Sequence, residues 1–291
     1  MKPAIVDLHW AAPQVMAIVN VTPDSFYAGS RTRTPETIER RILEAVGEGA
    51  TILAIGGYSS RPGAAEVPVE EEWARVKAGV GAARRLAPDA VVSVDTFRSE
   101  VARRVLDAFG PVIINDISAG ELDPQMLDVV ARYGAPYIAM HMKGDPQTMQ
   151  SLTEYRRDIT TEVVFYFRER VERFLAAGIR RERIILDPGF GFAKTVDQNY
   201  ELLSGLHRLC ELGFPVLVGH SRKSMIYKAL DTTPEESLAG TVALGWECLR
   251  QGARILRVHD VREAADTVRL FPIYEQKQHL QNQPPLTRVL A

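Results

Sequence analysis

The sequence has little excess charge of either sign and no long uninterrupted hydrophobic run. Its 35 Lys and Arg residues nearly balance its 37 Asp and Glu residues, which leaves a formal net charge of −2. Proteins that bind the backbone of nucleic acids usually carry a basic excess, so we expect no nucleic-acid partner. A membrane-spanning helix needs about 18 or more consecutive apolar residues, and no window approaches that length, so we expect no membrane association.

Cysteine is scarce as well, with two residues in 291. Cys210 and Cys248 each lie in a helical pattern with apolar neighbours, and neither belongs to a CxxC motif. This favours two buried, reduced thiols over a disulfide or a zinc site. The N-terminal segment has no sustained apolar stretch of the kind that secretory signal peptides carry, so we expect a cytoplasmic protein.

The rest of the composition is typical of a folded globular protein. Hydrophobic residues make up 46% of the chain and charged residues 25%. These ordinary proportions exclude a disordered or a fibrous protein. A length of 291 residues fits either about two average domains or one α/β barrel of ~250 residues.

Eight short apolar runs alternate with segments of helical periodicity. The runs are residues 15–20, 51–56, 90–95, 111–116, 136–141, 183–188, 215–220 and 254–259. They are continuously apolar, which is typical of parallel strands buried on both faces. Helix starts are predicted where a capping residue precedes proline, at Thr34, Asp123 and Thr233, and Asp260 with Glu263 resembles a capping box.

Eight strand–helix units in succession predict an α/β fold of the (β/α)8 TIM barrel type in a single domain. We assign residues 1–14 to an N-terminal segment that caps the barrel, 15–272 to the barrel and 273–291 to a C-terminal tail. A doubly wound open sheet is the alternative. It would more often carry a GxGxxG motif after its first strand, and none occurs there.

Polar side chains stand at or beside the end of seven of the eight runs. They are Asn20, Asp95, Asn115, Asp116, His141, Asp187, His220 and His259. One such residue only shows that a strand ends there, because Asp and Asn favour turns. In a barrel, however, the carboxyl ends of all strands meet at the face that carries the active site. A ring of carboxylates, amides and imidazoles suits a polar heteroaromatic ligand.

Basic side chains are predicted on the same face. Arg61 follows run 2, Lys223 follows run 7, and Arg257 lies near the end of run 8. Loops after strands seven and eight commonly hold a phosphate in such barrels, and Ser221 could join these cations. Asn20 offers a neutral oxygen to Mg2+, which is usually shared with substrate phosphates.

The motifs at these strand ends resemble those of dihydropteroate synthases in order and spacing. They are NVTPDSF (20–26), GGYSSRPGA (56–64), SVDT (93–96), NDIS (115–118), MHMKGDPQTMQ (140–150), DPGFGF (187–192), GHSRKS (219–224) and RVHD (257–260). The resemblance spans about residues 15 to 270. It implies a TIM barrel that condenses (7,8-dihydropterin-6-yl)methyl diphosphate with 4-aminobenzoate, releasing diphosphate with the help of Mg2+ in folate biosynthesis. It also suggests a homodimer.

The resemblance further assigns roles to individual side chains. The pterin ring edge would be bound by Asp95, Asn115 and Asp187, with Lys223 on its carbonyl side and Ile117 and Met140 as apolar walls. Asn20 would contact Mg2+, and Asn20, Arg257 and His259 would hold the diphosphate. Ser60, Arg61, Pro62 and Ser221 would lie near the aminobenzoate. The residues assigned to catalysis are Asn20, Arg61, Lys223, Arg257 and His259.

The sequence departs from the family pattern at four positions. Ala28 stands where the first loop usually carries Asp, and Ala54 stands where the second strand usually carries Asp. Tyr58 replaces a common Glu, and Ser60 replaces Thr while keeping the hydroxyl. We interpret these changes as variation within a working enzyme, because the residues assigned to the pterin and the diphosphate are intact. Reduced activity is the alternative.

Three other functions compete with this interpretation. A pterin-binding barrel for methyl transfer would share the ring-binding residues but would have no diphosphate to bind. A metal-dependent hydrolase could use His141, His220 and His259, but it would normally need an HxH motif on the first strand, where Ile18-Val19-Asn20 stands. A non-catalytic pterin-binding homologue is suggested by Ala28 and Ala54.

Overall fold

A computed structural model describes residues 10–21, 34–59 and 66–281, with side chains described up to residue 277. Eight parallel strands occur in the described part. They are β1 (Gln14–Asn20), β2 (Ile52–Gly56), β3 (Val91–Asp95), β4 (Ile113–Asp116), β5 (Tyr137–Met140), β6 (Ile184–Asp187), β7 (Leu217–Val218) and β8 (Ile255–Val258). Each predicted run overlaps one of these strands, and β1 begins one residue before its run. Unbroken apolar sequence favours burial on both faces.

The strands form a barrel rather than an open sheet. Their order is β6-β5-β4-β3-β2-β1-β8-β7. A parallel bridge between Leu186 and Val216 joins β6 to the chain that enters β7. The predicted (β/α)8 barrel is therefore confirmed, and the doubly wound alternative was wrong.

The barrel interior is filled by one compact layer of side chains. It consists of Met16, Ile52, Ala54, Ile113, Ile138, Ile185, Leu217 and Ile255. Side chains alternate between the two faces of a strand, so the residues between these positions point outward to the helices. A larger apolar core occupies that outer space.

Helices follow the strands and cover the barrel. They are α1 (Pro35–Gly47), α2 (Val69–Leu86), α3 (Ser99–Phe109), α4 (Met126–Tyr133), α5 (Ile159–Ala176), α6 (Val196–Ser204), α7 (Leu206–Cys210), α8 (Ser224–Tyr227), α9 (Leu238–Arg250) and α10 (Val261–Gln281). The start of α1 is as predicted, since Thr34 forms a capping box with Thr37 and Pro35 takes the first helical position.

Two of the other predicted helix starts, at Asp123 and Thr233, lie a few residues before the helices that follow them. The Asp123 carboxylate accepts from the Ser99 and Gln125 amides, and α4 begins three residues after it. Thr233 opens a turn, and α9 begins only at Leu238. The start predicted at Asp260 is confirmed, because α10 begins at Val261, although the Asp260 carboxylate accepts from the Arg222 guanidinium. Sequence alone cannot separate a local cap from a polar side chain that bonds to a distant segment.

The described chain begins at Trp10, and its last helix ends at Gln281. Trp10 packs against the interior layer, and its carbonyl accepts from Arg254 Nη2 at 2.9 Å. The helix α10 continues to Gln281, past residue 272, where the sequence analysis placed the end of the barrel. Residues 1–9 and 282–291 of the two predicted end segments lie outside the described residues.

Both cysteines are free thiols, as predicted, with Cys248 buried and Cys210 partly buried. Burial raises the pKa of the Cys210 thiol to about 11. A search of the described helices finds none with the length and apolar character needed to cross a bilayer.

Candidate active site

A cavity of about 390 Å3 opens at the carboxyl ends of the strands. It brings together ten of the residues that the sequence analysis assigned to a site. They are Asn20, Asp95, Asn115, Ile117, Met140, Asp187, Ser221, Lys223, Arg257 and His259. Ser60, Arg61 and Pro62 lie outside the described residues. The roles of all these side chains stay predictions, but the shared location of the ten is observed.

Strand periodicity explains which polar residues reach this cavity. Asn115, Asp187 and Arg257 each follow an interior-layer residue by two positions, so they continue its inward face. Asp116 and His141 each follow by three and point away from the cavity. The predicted ring of strand-end polar residues was therefore wrong for Asp116, His141 and His220.

These three residues have structural partners instead. The buried Asp116 carboxylate accepts from the Ser118 amide and from the Tyr137 hydroxyl at 2.7 Å. The His220 imidazole lies 3.0 Å from the Thr241 carbonyl through Nε2, and burial lowers its pKa to about 4. The described residues contain no cluster of three or more His, Cys, Asp or Glu that could hold a metal. The hydrolase alternative therefore has no support in the described site.

Asp95 is the centre of a polar group on one side of the cavity. Asn115 Nδ2 donates to Asp95 Oδ1 at 2.8 Å, and Arg257 Nη2 donates to Oδ2 at 2.6 Å. Gly56 lies between Asp95 and Asn20, and a Cβ atom there would approach a side-chain oxygen of each to 3.3 Å. The second strand therefore needs glycine at its end so that these two side chains can converge.

Asp187 lies on the opposite side and is only 5% exposed. Its Oδ1 accepts from the Gly189 amide at 2.8 Å. Burial raises the pKa of this carboxyl, while Lys223, the Gly189 amide, Arg257 and Lys194 oppose the rise. The carboxylate therefore depends on neighbouring donors and cations to stay ionised.

Lys223 lines the cavity together with Asp187 and interacts with it electrostatically. Its ammonium donates to the Phe190 carbonyl and lies 4.7 Å from the centre of the Phe192 ring. Burial lowers the pKa of Lys223 to about 8, against the attraction of Asp187. The Arg222 residue before it has φ of 54°, and its guanidinium makes a two-point ion pair with Asp260, at 2.9 and 2.8 Å. This pair anchors the turn that presents Lys223.

His259 is held from both sides of its backbone. Its amide donates to Ser221 Oγ at 3.2 Å, and its carbonyl accepts from Arg41 Nη2 at 2.7 Å. Burial, Arg257, Arg41 and the other nearby cations lower the pKa of the imidazole to about 3. At neutral pH the ring is therefore uncharged in the protein without substrate, and the positive charge beside it comes from Arg257 and Lys223.

Aromatic residues in the cavity wall were not singled out as site residues by the sequence analysis. Tyr58 and Phe97 line it with their ring centres 5.1 Å apart in an edge-to-face contact. The Arg98 guanidinium lies 5.2 Å from the centre of the Tyr58 ring. Phe192 lies on the other side. The available sequence signal was that Tyr58 and Phe97 each follow the end of a strand by two residues. Aromatic residues are also common in loops, so this signal does not identify a site.

Ala54 occupies the barrel interior below the cavity. It pairs in register with Ser93 on β3, and Arg257 faces the same interior from β8. Within the described residues, Ser93 Oγ and Arg257 Nε are buried without a hydrogen-bond partner. The missing carboxylate noted in the sequence therefore coincides with two unsatisfied donors.

The chain matches known proteins over most of its length. Residues 16–259 match the family described as pterin binding enzyme. The dihydropteroate synthase of Escherichia coli strain K12 is 44% identical over 264 residues, which cover 90% of this chain and 92% of that protein.

Solved structures agree with the sequence comparison. The Yersinia pestis dihydropteroate synthase in a sulfonamide drug complex matches with a TM-score of 0.86 at 38% identity, covering 92% of this chain and 95% of that one. The Xanthomonas albilineans dihydropteroate synthase with 4-aminobenzoic acid gives a TM-score of 0.79 at 41% identity, covering 94% and 95%. The chain thus belongs to the pterin-binding enzyme family, in its dihydropteroate synthase branch.

Proposed function

We propose that the protein joins 4-aminobenzoate to (7,8-dihydropterin-6-yl)methyl diphosphate, forming 7,8-dihydropteroate and diphosphate. The observation that carries this proposal is the convergence of ten predicted side chains on one cavity. The cavity combines carboxylate and amide groups that suit a heteroaromatic ring with cations that suit a diphosphate. Family membership over residues 16–259 supports the same reaction.

We place the pterin ring in the inner half of the cavity, which is the part lined by Asp95, Asn115, Ile117, Met140, Asp187 and Lys223. An ionised Asp187 would accept two hydrogen bonds from the 2-amino group and the adjacent ring N–H of the pterin. Asn115 and Asp95 face this ring edge from β4 and β3. Ile117 and Met140 supply apolar surface for the ring faces. The carboxylates therefore serve recognition, and the reaction needs no acid–base pair from them.

The diphosphate fits beside Arg257 and His259. In the reaction, the amine nitrogen forms a bond to the pterin methylene carbon while the bond from that carbon to the diphosphate oxygen breaks. Negative charge grows on the leaving oxygens, and the Arg257 guanidinium and the His259 ring would stabilise it. Preorganised contacts of this kind are each worth about 3 kcal/mol, or roughly a hundredfold in rate.

The 4-aminobenzoate would approach from the open side, beside Ser221. Its amine is nucleophilic when neutral, so the site needs no strong base. The amine proton leaves to solvent or to the departing diphosphate. Ser60, Arg61 and Pro62, which lie outside the described residues, are proposed to complete this part of the site.

The residues present fit a Mg2+ ion that is shared with the diphosphate. Asn20 lines the cavity and offers a neutral oxygen, the kind of ligand that Mg2+ accepts together with phosphate oxygens and water. When bound, the ion would supply further positive charge to the leaving group. Arg257 and His259 remain the described side chains that hold the diphosphate in this proposal.

The decisive test is an assay of diphosphate release with the pterin diphosphate, Mg2+ and 4-aminobenzoate. Release that depends on 4-aminobenzoate supports the proposed reaction. Pterin binding without turnover would support the non-catalytic alternative, and absence of pterin binding would refute both. Sulfonamides mimic aminobenzoate, so they are expected to inhibit the release competitively with it.

Two further expectations remain proposals. The cytoplasmic location stays a prediction from the sequence. We also propose a homodimer, which is supported by a row of exposed apolar side chains on α10 at Leu270, Ile273 and Tyr274. The experiment for the dimer is given in the Discussion.

A further inference from the structure

Lys194 is a buried lysine that the proposed reaction does not use. It lies directly after the turn 188–193, is 5% exposed and does not line the cavity. Burial lowers the pKa of Lys194 well below its ordinary value. Its side-chain nitrogen lies 2.9 Å from the Gly189 carbonyl and 3.0 Å from the Phe192 carbonyl and donates to both. It also lies 2.9 Å from Nδ1 of His141. A buried lysine is costly unless its donors are satisfied, so three partners at these distances indicate a built site.

The turn that Lys194 fastens is conformationally demanding. Gly189, Gly191 and Ala193 all have positive φ, at 68°, 80° and 52°. A Cβ atom on Gly189 would come within 2.1 Å of the His141 carbonyl oxygen, so the turn is pressed against the end of β5. For alanine the left-handed conformation costs about 1 kcal/mol or more. The turn therefore needs external contacts to hold this shape.

Asp187 and Lys223 are each hydrogen-bonded to the backbone of this turn. The Gly189 amide donates to the Asp187 carboxylate at 2.8 Å. The Phe190 carbonyl accepts from the Lys223 ammonium. Lys194 binds the carbonyl of Gly189 itself and the carbonyl two residues after Phe190. Its contacts therefore hold the residue whose amide orients Asp187 and lie on both sides of the carbonyl that orients Lys223.

We propose that Lys194 is a positioning residue, which sets the pterin affinity by fixing the 188–193 turn behind Asp187 and Lys223. The role rests on the proposed function, because it presumes that the inner half of the cavity binds a pterin. The outer half of the cavity, where Arg257 and His259 would hold the diphosphate, is held in place by other contacts. Arg257 is held by Asp95, and His259 by Ser221 and Arg41. Replacement of Lys194 should therefore weaken pterin binding more than diphosphate binding.

The test is to replace Lys194 by Met, which keeps the length of the side chain and removes its hydrogen bonds. Two probes are titrated by calorimetry: a pterin that carries no phosphate, and inorganic diphosphate with Mg2+. We expect Lys194→Met to weaken pterin binding about tenfold or more, since misplacement of recognition groups by about 1 Å has effects of that size. Diphosphate binding should change less than about twofold.

Lys143→Met is the matched control. Lys143 lies near the same histidine but donates to the Glu154 carbonyl and stacks on the Tyr155 ring. The Tyr155 hydroxyl donates to the Ala193 carbonyl of the turn at 2.8 Å, and Lys143→Met leaves this bond in place, so both affinities should stay at the wild-type value. An equal loss of both affinities in Lys194→Met would show a merely structural role and overturn the proposal, as would unchanged pterin affinity.

Histidine variants keep the proposal testable if Lys194→Met does not fold. His141→Asn places an amide oxygen near the position of Nδ1 and should retain most of the pterin affinity. His141→Leu removes this hydrogen-bond partner of Lys194 and should weaken pterin binding selectively. Equal pterin affinities in the two variants would count against the role. Wild-type turnover reports on the proposed function separately. A wild-type protein that releases diphosphate but whose variants bind pterin normally refutes only the role of Lys194. A wild-type protein that binds no pterin refutes both.

Discussion

Lys223 is a cavity residue whose charge changes at a pH just above neutrality. Burial lowers its pKa to about 8, while Asp187 raises it and Arg257 lowers it further. Below that pH the ammonium is present to meet the substrate anion, and above it the ammonium is lost. The pH range just above neutrality therefore tests its role.

We predict that the affinity for the pterin diphosphate falls as pH rises from about 7 to about 10, because Lys223 deprotonates in this range. The loss should approach tenfold per pH unit above the pKa. Calorimetric titrations of the wild type and of Lys223→Met measure it. The ionisation of the ligand affects both proteins alike, so the difference between them isolates Lys223. Parallel pH profiles in the two proteins would contradict this role.

Ala54 provides a second prediction, about stability. A carboxylate in a protein core usually costs several kcal/mol because it is desolvated without partners. Beside position 54, however, the in-register neighbour Ser93 has a buried hydroxyl with no partner in the described part of the chain, as does Arg257 Nε on β8. We predict that Ala54→Asp lowers the free energy of unfolding by clearly less than Ala139→Asp, which places the same group in the outer core.

Urea unfolding of Ala54→Asp and of Ala139→Asp measures this difference in the free energy of unfolding. If Ala139→Asp does not fold while Ala54→Asp does, the prediction holds. Equal losses of stability would mean that the two donors cannot reach a carboxylate at position 54. The departure from the family pattern would then need another structural explanation.

At the scale of elements, the strands could be predicted from the sequence and the phase of their side chains could not. Unbroken apolar runs identify strands buried on both faces, but they hide which residues point inward. Asn115 and Asp116 are neighbours at the end of β4, and only Asn115 reaches the cavity. The structure shows which side chains point inward, because Ile113, two residues before Asn115, belongs to the interior layer.

The motif resemblance supplied that missing phase for the site residues. It assigned Asp95, Asn115 and Asp187 to the ligand and left out Asp116, His141 and His220, which the strand-end argument had included. The Lys194 contacts could not be predicted from the sequence, because they join β5 to the turn after β6. Long-range hydrogen bonds leave no periodic signal in the sequence.

The turn between β7 and α8 gives a prediction at this scale. Arg222 in that turn forms a nearly buried two-point ion pair with Asp260 before α10, and its Nη1 also donates to the Pro234 and Glu235 carbonyls. Removing one partner of a buried pair leaves the other charge uncompensated. We predict that Arg222→Met lowers the free energy of unfolding by about 3 kcal/mol or more.

Arg250→Met is the control for this loss. Arg250 pairs with Glu247 on the exposed face of α9, where solvent screens the ion pair and its contribution to stability is small. Thermal and urea unfolding of both variants measure the difference. Similar losses in the two proteins would show that the β7–α8 turn does not depend on this ion pair.

At the scale of the whole molecule, the barrel separates the cavity from the surface that we propose for dimerisation. The cavity lies at the carboxyl ends of the strands, whereas α10 covers the outside of the barrel beside β1 and α9. On α10, Leu270 is 58% and Ile273 60% exposed. Tyr274 is 49% exposed and stacks edge to face on Trp246 of α9, with ring centres 5.5 Å apart. Apolar side chains in a row on one helix typically mark an interface.

We predict that the wild type sediments as a dimer at micromolar concentration and that Leu270→Asp with Ile273→Asp yields a folded monomer. Leu175→Asp is the control, since Leu175 is exposed by 41% on α5, away from α10. A monomeric wild type would refute the dimer, and a dimeric double variant would place the interface elsewhere.

Because no residue of this row lines the cavity, the monomer should still bind the pterin with wild-type affinity. Loss of pterin binding in a folded monomer would instead show that the second subunit supports the site, and the barrel could not then be treated as an independent catalytic unit.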